Sequence, residues 1–360
     1  MTAVDSVRSN LLDCMQANLA VLADRHHGPG THLNLGAALR FRWRAEQLPT
    51  VEPTLEQHLA DAETLLGLRV TDERTVTGEI LTAAVQPGAQ AYVIADAYEL
   101  PWVPYFRQRH MEHSFLLSAE GTVVDAYAND TQWGPATPGS WQFPDLRLAG
   151  AAQILHFAPE AAPNPVAAVD DGDFEEYLAA YQSYPNRVSA LDRLTLETWL
   201  LARSRKLHAA FRRHRGLPLR AALDEHLSRW DGLVEQTYLA YRRVARGRPE
   251  PTIVVERFRE ALAADRDVFE LGDEGWRRSV AGVVASVLDV AEQQLLGGVS
   301  FTSLPRFSSF RLVEIVERLE SELGADIDAA DLLPENLHRL DDLCQVIRPP
   351  AAVPTEGVLP

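Results

Sequence analysis

The feature that most constrains this chain is a change of hydrophobic period at one place. Up to about residue 157, a helical stretch after Cys14 is followed by short apolar runs, "AYVIAD", "HSFLLSA", "TVVDAY" and "AAQILHF", set between Gly and Pro turns. Short runs bounded by turn residues are the pattern of strands. The Pro-, Ala- and Asp-rich stretch "APEAAPNPVAAVDDGD" (158–173) then reads as a connector. Beyond it, "LTLETWLLARSRKLHAAFRRH", "LRAALDEHLSRWDGLVEQTYLAYRRVA" and "VVERFREALAADRDVF" carry helical periodicity. The expected architecture is α+β: a mixed N-terminal domain over 1–157, a helical region over 158–272 packing on it, and a C-terminal helical bundle over 276–348. No internal repeat is present, and the tail over 349–360 is expected to be disordered.

At 360 residues, 46% of them hydrophobic, the chain has material for two or three cores. No apolar run approaches the roughly 20 residues that span a bilayer, and "MTAVDSVRSN" lacks a basic region followed by an apolar core. A soluble, cytoplasmic protein without a membrane partner is expected. Cys14 and Cys344, the only cysteines, argue against a disulfide framework or a cysteine-rich zinc site. The histidines at 26, 27, 32 and 110 match no metal motif. His110 and His113 fit one helix face but lack a third ligand, so no metal is expected. A net charge of -17 excludes nucleic acid as an expected partner. That charge is uneven: residues 191–248 carry thirteen Arg+Lys against six Asp+Glu, and residues 276–347 six Arg against twelve Asp+Glu. These are either two solvated surfaces or two surfaces that attract each other or matching partners.

In "NLLDCMQANLAVLADRHHG", Asp13 is placed to cap a helix whose first turn holds Cys14, where the helix dipole favours thiolate. A cysteine nucleophile needs a base, and the base an orienting group. "MEHSFLLSAEGTVVDAY" supplies both: a hairpin turning through Ser118–Glu120 sets Leu117 against Gly121, Phe115 against Val123 and His113 against Asp125. Opposed Cβ atoms lie roughly 4.5–5.5 Å apart, close enough for a carboxylate to hold an imidazole. Taken singly, Cys14 also reads as an inert buried thiol, His113 as a satisfied strand-end histidine and Asp125 as a turn residue.

Over residues 8–270 the chain resembles the butirosin-biosynthesis acyltransferases, whose N-terminal domain is papain-like and related to bacteriocin-processing cysteine peptidases. The resemblance lies in "DCMQANLAVLA", in "AYVIADAYELPWVPYFRQRHMEHSFLLSAEGTVVDAY" with its D-x-Y-x-L-P segment, and in the helices that follow. It implies Cys14 as nucleophile, His113 as base and Asp125 as orienter. The peptidase relatives use a glutamine upstream of the cysteine in the oxyanion hole. No glutamine precedes Cys14 here, and Asn10 is the substitute, together with the Cys14 backbone N–H.

From Trp276 a helix presents Val280, Val283, Val284 and Val287, and "LPRFSSFRLVEIVERLESELG" (304–324) follows. Leu312, Ile315, Val316, Leu319 and Leu323 form a buried stripe, leaving Glu314, Glu317 and Glu320 outside. In "PENLHRLDDLCQVI", Pro334 suits a first helical turn, and Leu337, Leu340, Cys344 and Ile347 its apolar face. Residues 276–348 resemble acyl and peptidyl carrier proteins. That resemblance implies 4'-phosphopantetheine carried covalently on Ser309, which lies five residues before Glu314, with "LPRF" like the family's preceding loop. Ser308 stands where the family usually has Asp. A helix start also offers free N–H groups to a phosphodiester, and it equally suits a plain N-cap serine.

The two resemblances together imply an acyltransferase of natural-product biosynthesis that moves an acyl or aminoacyl group from the phosphopantetheine thioester through Cys14 to an amine, forming an amide. The implied partners are a phosphopantetheinyl transferase, an acyl-loading enzyme, an amine-bearing small-molecule acceptor and other carrier proteins. Arg203, Arg205, Arg212, Arg213 and Arg215 are candidates for docking the carrier. A thioesterase, peptidase or cyclase uses the same three residues, and a non-catalytic scaffold uses Ser309 alone.

Overall fold

The computed structural model describes residues 4–170, 172–217, 219–269, 273–325, 327 and 337–347. The chain forms two compact units, Met1–Gly36 with Glu52–Pro163 and Ala37–Val51 with Asn164–Pro360. The division falls at Pro163/Asn164 rather than at 157/158, and the Ala37–Val51 segment crosses from one unit to the other.

Helix α1 (Cys14–His27) begins at a capping box: the Asp13 carboxylate accepts the amides of Met15 and Gln16, and the Gln16 side chain reaches back to the Asp13 amide. Strand β1 (Ala38–Arg40) lies in the crossing segment. Helix α2 (Leu55–Leu66), capped by Thr54 and Gln57 in the same manner, returns the chain to the first unit. Strands β2 (Leu68–Thr77), β3 (Gln90–Asp96), β4 (Glu112–Ser118), β5 (Thr122–Asp125), β6 (Asn129–Thr131), β7 (Gly134–Ala136), β8 (Gly139–Gln142) and β9 (Ala151–Pro159) follow. Six of them form an antiparallel sheet in the order β2-β9-β3-β4-β5-β8, and β6 pairs with β7 apart from it. All four runs read as strands lie in this sheet. Strand β2 showed no apolar pattern because it is an edge strand exposed along most of its length.

The β4–β5 hairpin differs from the expected register by two residues. Leu117 pairs with Val123 and Leu116 with Val124, so Gly121 stays in the loop. Gly121 has φ +82, and a Cβ there would lie 2.4 Å from Pro144 Cα, so both conformation and space require glycine. Extending that register sets Phe115 against Asp125. His113 and Asp125 then lie diagonally, still on one face, because a shift of two preserves the alternation of side chains.

In the second unit β1 pairs in parallel with β10 (Ala168–Asp170), so a strand lies where an irregular connector was expected. Helices α3 (Glu175–Ser183), α4 (Arg187–His214), α5 (Leu223–Val244) and α6 (Ile253–Phe269) pack around Tyr177, Leu194, Trp230, Leu233 and Phe258. Helices α7 (Asp273–Leu288), α8 (Glu292–Leu296), α9 (Ser309–Leu323) and α10 (Leu340–Val346) surround a separate apolar cluster. There Val280, Val283, Val284 and Val287 of α7, and Ile315, Val316, Leu319 and Leu323 of α9, are buried as the stripes require. Leu312 and Cys344 are partly buried at the edge of that cluster. Pro334 and the tail over 349–360 lie outside the described residues. No described helix is long and apolar enough to cross a membrane.

Two buried carboxylates organise the helices of this unit. Glu197 of α4 accepts from Thr50 Oγ1 and the Val51 amide, each at 2.7 Å, from Tyr177 at 2.8 Å and from Arg193, which holds the crossing segment to the helices. Asp265 of α6 accepts from Arg205 and His226, with Trp230 also in reach. Burial alone would push the Asp265 carboxyl up, but the Arg205 charge and the donors override it and hold the group below the usual range. Arg205 is therefore a core residue and not a docking residue. Arg212, also buried, donates to the Phe269 carbonyl, and burial lowers its pKa to about 10. Arg203 lies over Trp199, while Arg213 pairs with Asp224 on the surface.

Because the Asp265 pKa is depressed, its contribution is present above the unfolded carboxylate value and is lost as pH falls through the folded one. Asp265→Asn, which leaves Arg205 buried without its counter-ion, should cost about 3–5 kcal/mol at neutral pH. The gap from wild type should close below the ordinary carboxylate range. Urea unfolding followed by tryptophan fluorescence at a series of pH values measures both effects.

Candidate active site

Cys14 is the first residue of α1. With the Met15 and Gln16 amides taken by Asp13, the Cys14 amide remains as a donor at the helix start. The thiol keeps some accessible surface and lies 3.8 Å from the Glu112 carbonyl oxygen, one residue before His113 on β4. The Cys14 carbonyl accepts the Ser114 hydroxyl at 2.6 Å, so the two residues that flank His113 both touch Cys14.

His113 is fully buried, and its Nε2 lies 2.7 Å from Asp125 Oδ2. A carboxylate only accepts, so Nε2 carries the proton and Nδ1 holds the free lone pair. Nδ1 is buried and has no hydrogen-bond partner among the described residues. His226 in the Asp265 cluster shows the same pattern, Nε2 on a carboxylate and Nδ1 buried without a partner, so what sets His113 apart is its place on the strand that touches Cys14.

Asp125 ends β5, and four donors from different segments converge on it. His113 Nε2 and Trp102 Nε1, the latter at 3.2 Å, reach Oδ2, while the Tyr127 amide at 2.9 Å and Asn18 Nδ2 at 3.3 Å reach Oδ1. Asn18, four residues after Cys14 and so on the same face of α1, is fully buried. It also donates to the Ser114 carbonyl at 2.8 Å and accepts the Ala126 amide at 2.9 Å. Trp102 packs edge-on to Phe115 and stacks with Trp141, and the Tyr127 ring meets the His113 ring edge-on. Asp96 caps the short turn Ala97–Glu99 that leads into the Trp102 loop and binds His110 at 2.5 Å.

The structure thus pairs His113 with Asp125 and ties the strand that carries His113 to α1 through Cys14 and Asn18. Asn10 is exposed on the one-turn 3-10 helix Ser9–Leu11, and no hydrogen bond among the described residues links it to Cys14, His113 or Asp125. Asn18, Trp102, Ser114 and Tyr127 were missed. Only Asn18 carried a signal, as the one amide in the apolar run "ANLAVLA". His110 and His113 lie on a loop and a strand rather than on a helix face, and no described group of three or more His, Cys, Asp or Glu residues is placed to hold a metal.

The electrostatics of Cys14 oppose the expectation from the helix dipole. Burial raises the thiol pKa well above its ordinary value, and the negative charges of Asp13, Asp125 and Glu52 raise it further. A thiol so placed stays protonated until a base removes its proton.

On α9, Ser308 is the N-cap and its hydroxyl accepts the Arg311 amide. Ser309 is the first helical residue and is exposed, its hydroxyl unused by the cap. No protein-family model matches this chain, and no curated protein matches it.

Because the Cys14 pKa is raised, thiolate accumulates only above the ordinary thiol range, and alkylation by iodoacetamide should be slow at neutral pH and climb through alkaline pH. Asp13→Asn keeps a capping side chain and removes one raising charge. It should therefore speed alkylation at a fixed mildly alkaline pH. Peptide mapping separates Cys14 from Cys344, whose thiol burial pushes to about 11.

Proposed function

We propose that the chain is a cysteine-dependent acyltransferase that moves an acyl group from a thioester to an amine. The observation that carries this reading is the pairing of His113 Nε2 with Asp125 on a strand whose two residues flanking His113, Glu112 and Ser114, both touch Cys14. The resemblance of residues 8–270 to the butirosin-biosynthesis acyltransferases and their papain-like domain agrees with it.

In the first half-reaction Nδ1 of His113 takes the Cys14 proton as the sulfur attacks the thioester carbonyl. The Cys14 amide donates to the oxyanion that develops. The bond from the carbonyl carbon to the donor sulfur then breaks, and His113 returns the proton to the departing thiol. In the second half-reaction an amine attacks the Cys14 thioester and His113 accepts its proton. The new C–N bond forms, the Cys14 sulfur departs, and His113 reprotonates it. Asp125 holds the imidazole in the tautomer that both steps need and faces the imidazolium formed in each. Exchange between thioesters is nearly neutral in free energy, and amide formation draws the sequence forward.

We read residues 276–348 as the carrier of the donor. The residues present fit 4'-phosphopantetheine: Ser309 is exposed at the start of α9, Ser308 has taken over the cap, and the amides of a first helical turn suit a phosphodiester. Bound there, the group supplies a flexible thiol on which an acyl chain is held as a thioester. This reading places the protein in natural-product biosynthesis, with a phosphopantetheinyl transferase, an acyl-loading enzyme and an amine acceptor as its partners.

Mass spectrometry of protein and products, with a small acyl thioester and a panel of amines, tests the reading. Wild type should form amide, and Cys14→Ala none. His113→Ala should lose roughly 10²–10⁴-fold, the usual contribution of general acid–base catalysis, and Asp125→Asn should lose less. Unchanged amide from Cys14→Ala would refute covalent catalysis, and free acid alone would mean a hydrolase. With coenzyme A and a broad-specificity transferase, wild type and Ser308→Ala should gain the phosphopantetheine mass and Ser309→Ala should not. Absence of that mass from wild type would refute the carrier assignment.

A further inference from the structure

Among the described residues the large hydrophobic side chains left exposed fall into two groups. Phe310 and Val313, 89% and 56% exposed, lie on α9. Val188, Tyr238, Leu239 and Ile253 lie at the first turn of α4, near the end of α5 and at the first turn of α6. These three helix ends are one place. Arg187 at the start of α4 binds Glu250 just before α6 at 2.7 Å, and Arg243 of α5 donates to the Pro249 carbonyl at 2.7 Å. The second group therefore lies at one end of the α4–α6 bundle, with Leu239, 63% exposed, its most exposed member. Exposed apolar side chains gathered at one end of a bundle are candidates for a binding face.

The two patches are opposite in charge. Between Leu239 and Pro249 the chain carries Arg242, Arg243, Arg246 and Arg248 and no carboxylate; the flanking acids are Glu235, one turn back on α5, and Glu250, which is paired with Arg187. On α9, Arg311 pairs with Glu314 and Arg318 with Glu322, which leaves Glu317 and Glu320 as the exposed carboxylates. Positions 310, 313, 317 and 320 follow helical spacing, so both acids share the face of Phe310 and Val313.

The same chain's α9 cannot cover the bundle patch. The α7–α10 cluster is seated at the other end of α4: Leu217, just past that end, packs on its core, Arg215 binds Asn164, and Asn164 donates to the Ser321 carbonyl of α9. Helix α4 has 28 residues, and at 1.5 Å per residue it holds that end roughly 42 Å from Val188. We propose that the occupant is a second copy of this chain, whose α9 sets Phe310 and Val313 against Leu239 and Tyr238 and points Glu317 and Glu320 at Arg246 and Arg248. The contact does not depend on modification of Ser309 or on catalysis at Cys14.

Sedimentation of the full chain over a range of concentrations tests this. Wild type should self-associate, and more weakly as salt rises, because exposed charges are screened over a Debye length of roughly 8 Å at physiological salt. Leu239→Glu and Val313→Glu, both at exposed positions, should each weaken association by about tenfold or more, since either sets a charge against apolar surface. Each variant keeps one intact face, so an equimolar mixture of the two should regain association that neither shows alone, and that recovery also reports that both are folded. Reversing Glu317 and Glu320 to Arg should weaken association, and combining that change with Arg246→Glu and Arg248→Glu should restore it. A wild type that stays monomeric throughout would overturn the proposal and assign the patches to other partners. Association insensitive to Leu239→Glu would overturn it in favour of an α9-to-α9 contact, and a mixture without recovery would overturn it as well.

Discussion

The arrangement around Cys14 depends on the carboxylate of Asp125. A carboxylate offers about four acceptor positions, and burial makes an empty one costly. Here donors from four segments, α1, the Trp102 loop, β4 and the chain just past β5, fill them. Each donor is thereby told where to lie. Since the imidazole is pinned through Nε2, the only basic atom it can offer is Nδ1, and Asn18 and Ser114 bind α1 to the strand that carries that imidazole.

The second unit uses the same device twice without the same outcome. At Glu197 burial pushes the carboxyl up, and the Val51 amide, Arg193, Thr50 and Tyr177 offset it only in part. At Asp265 a buried arginine and a histidine reverse the effect of burial. Both carboxylates are held by residues distant in sequence, Thr50 with Glu197 and Arg205 with Asp265. They act as anchors of tertiary structure and not of any one helix. The Ala37–Val51 segment shows the consequence: it leaves the first unit and is held in the second by β1–β10 pairing and by Glu197.

The hairpin and the arginines mark how far sequence pattern reaches. The alternation along "HSFLLSA" and "TVVDAY" put His113 and Asp125 on one face, and that survived a register slip of two because parity is a property of each strand alone. Which residues stand opposite was not legible, since it turned on Gly121 staying in the loop close against Pro144. The arginines of α4 read as one basic surface. Arg205 and Arg212 instead face inward, where a carboxylate and a carbonyl from α6 meet them. Helical period gives a residue's angle about its own axis but not what lies across from it.

By itself, the sequence determined the kinds of element and their order, the cap that starts α1 at Cys14, the common face of His113 and Asp125, and the buried stripes of α7 and α9. These are local properties, set by side-chain spacing, capping chemistry and the two backbone periods. Only the tertiary structure decided that Asn18 and Trp102 complete the Asp125 cluster, that no hydrogen bond ties Asn10 to it, that burial and nearby carboxylates raise the Cys14 thiol pKa and that Arg205 belongs to a core. Each of those depends on charges and hydrogen-bond partners brought from distant parts of the chain, and a buried polar group takes its role from whichever partner the fold places within about 3 Å of it.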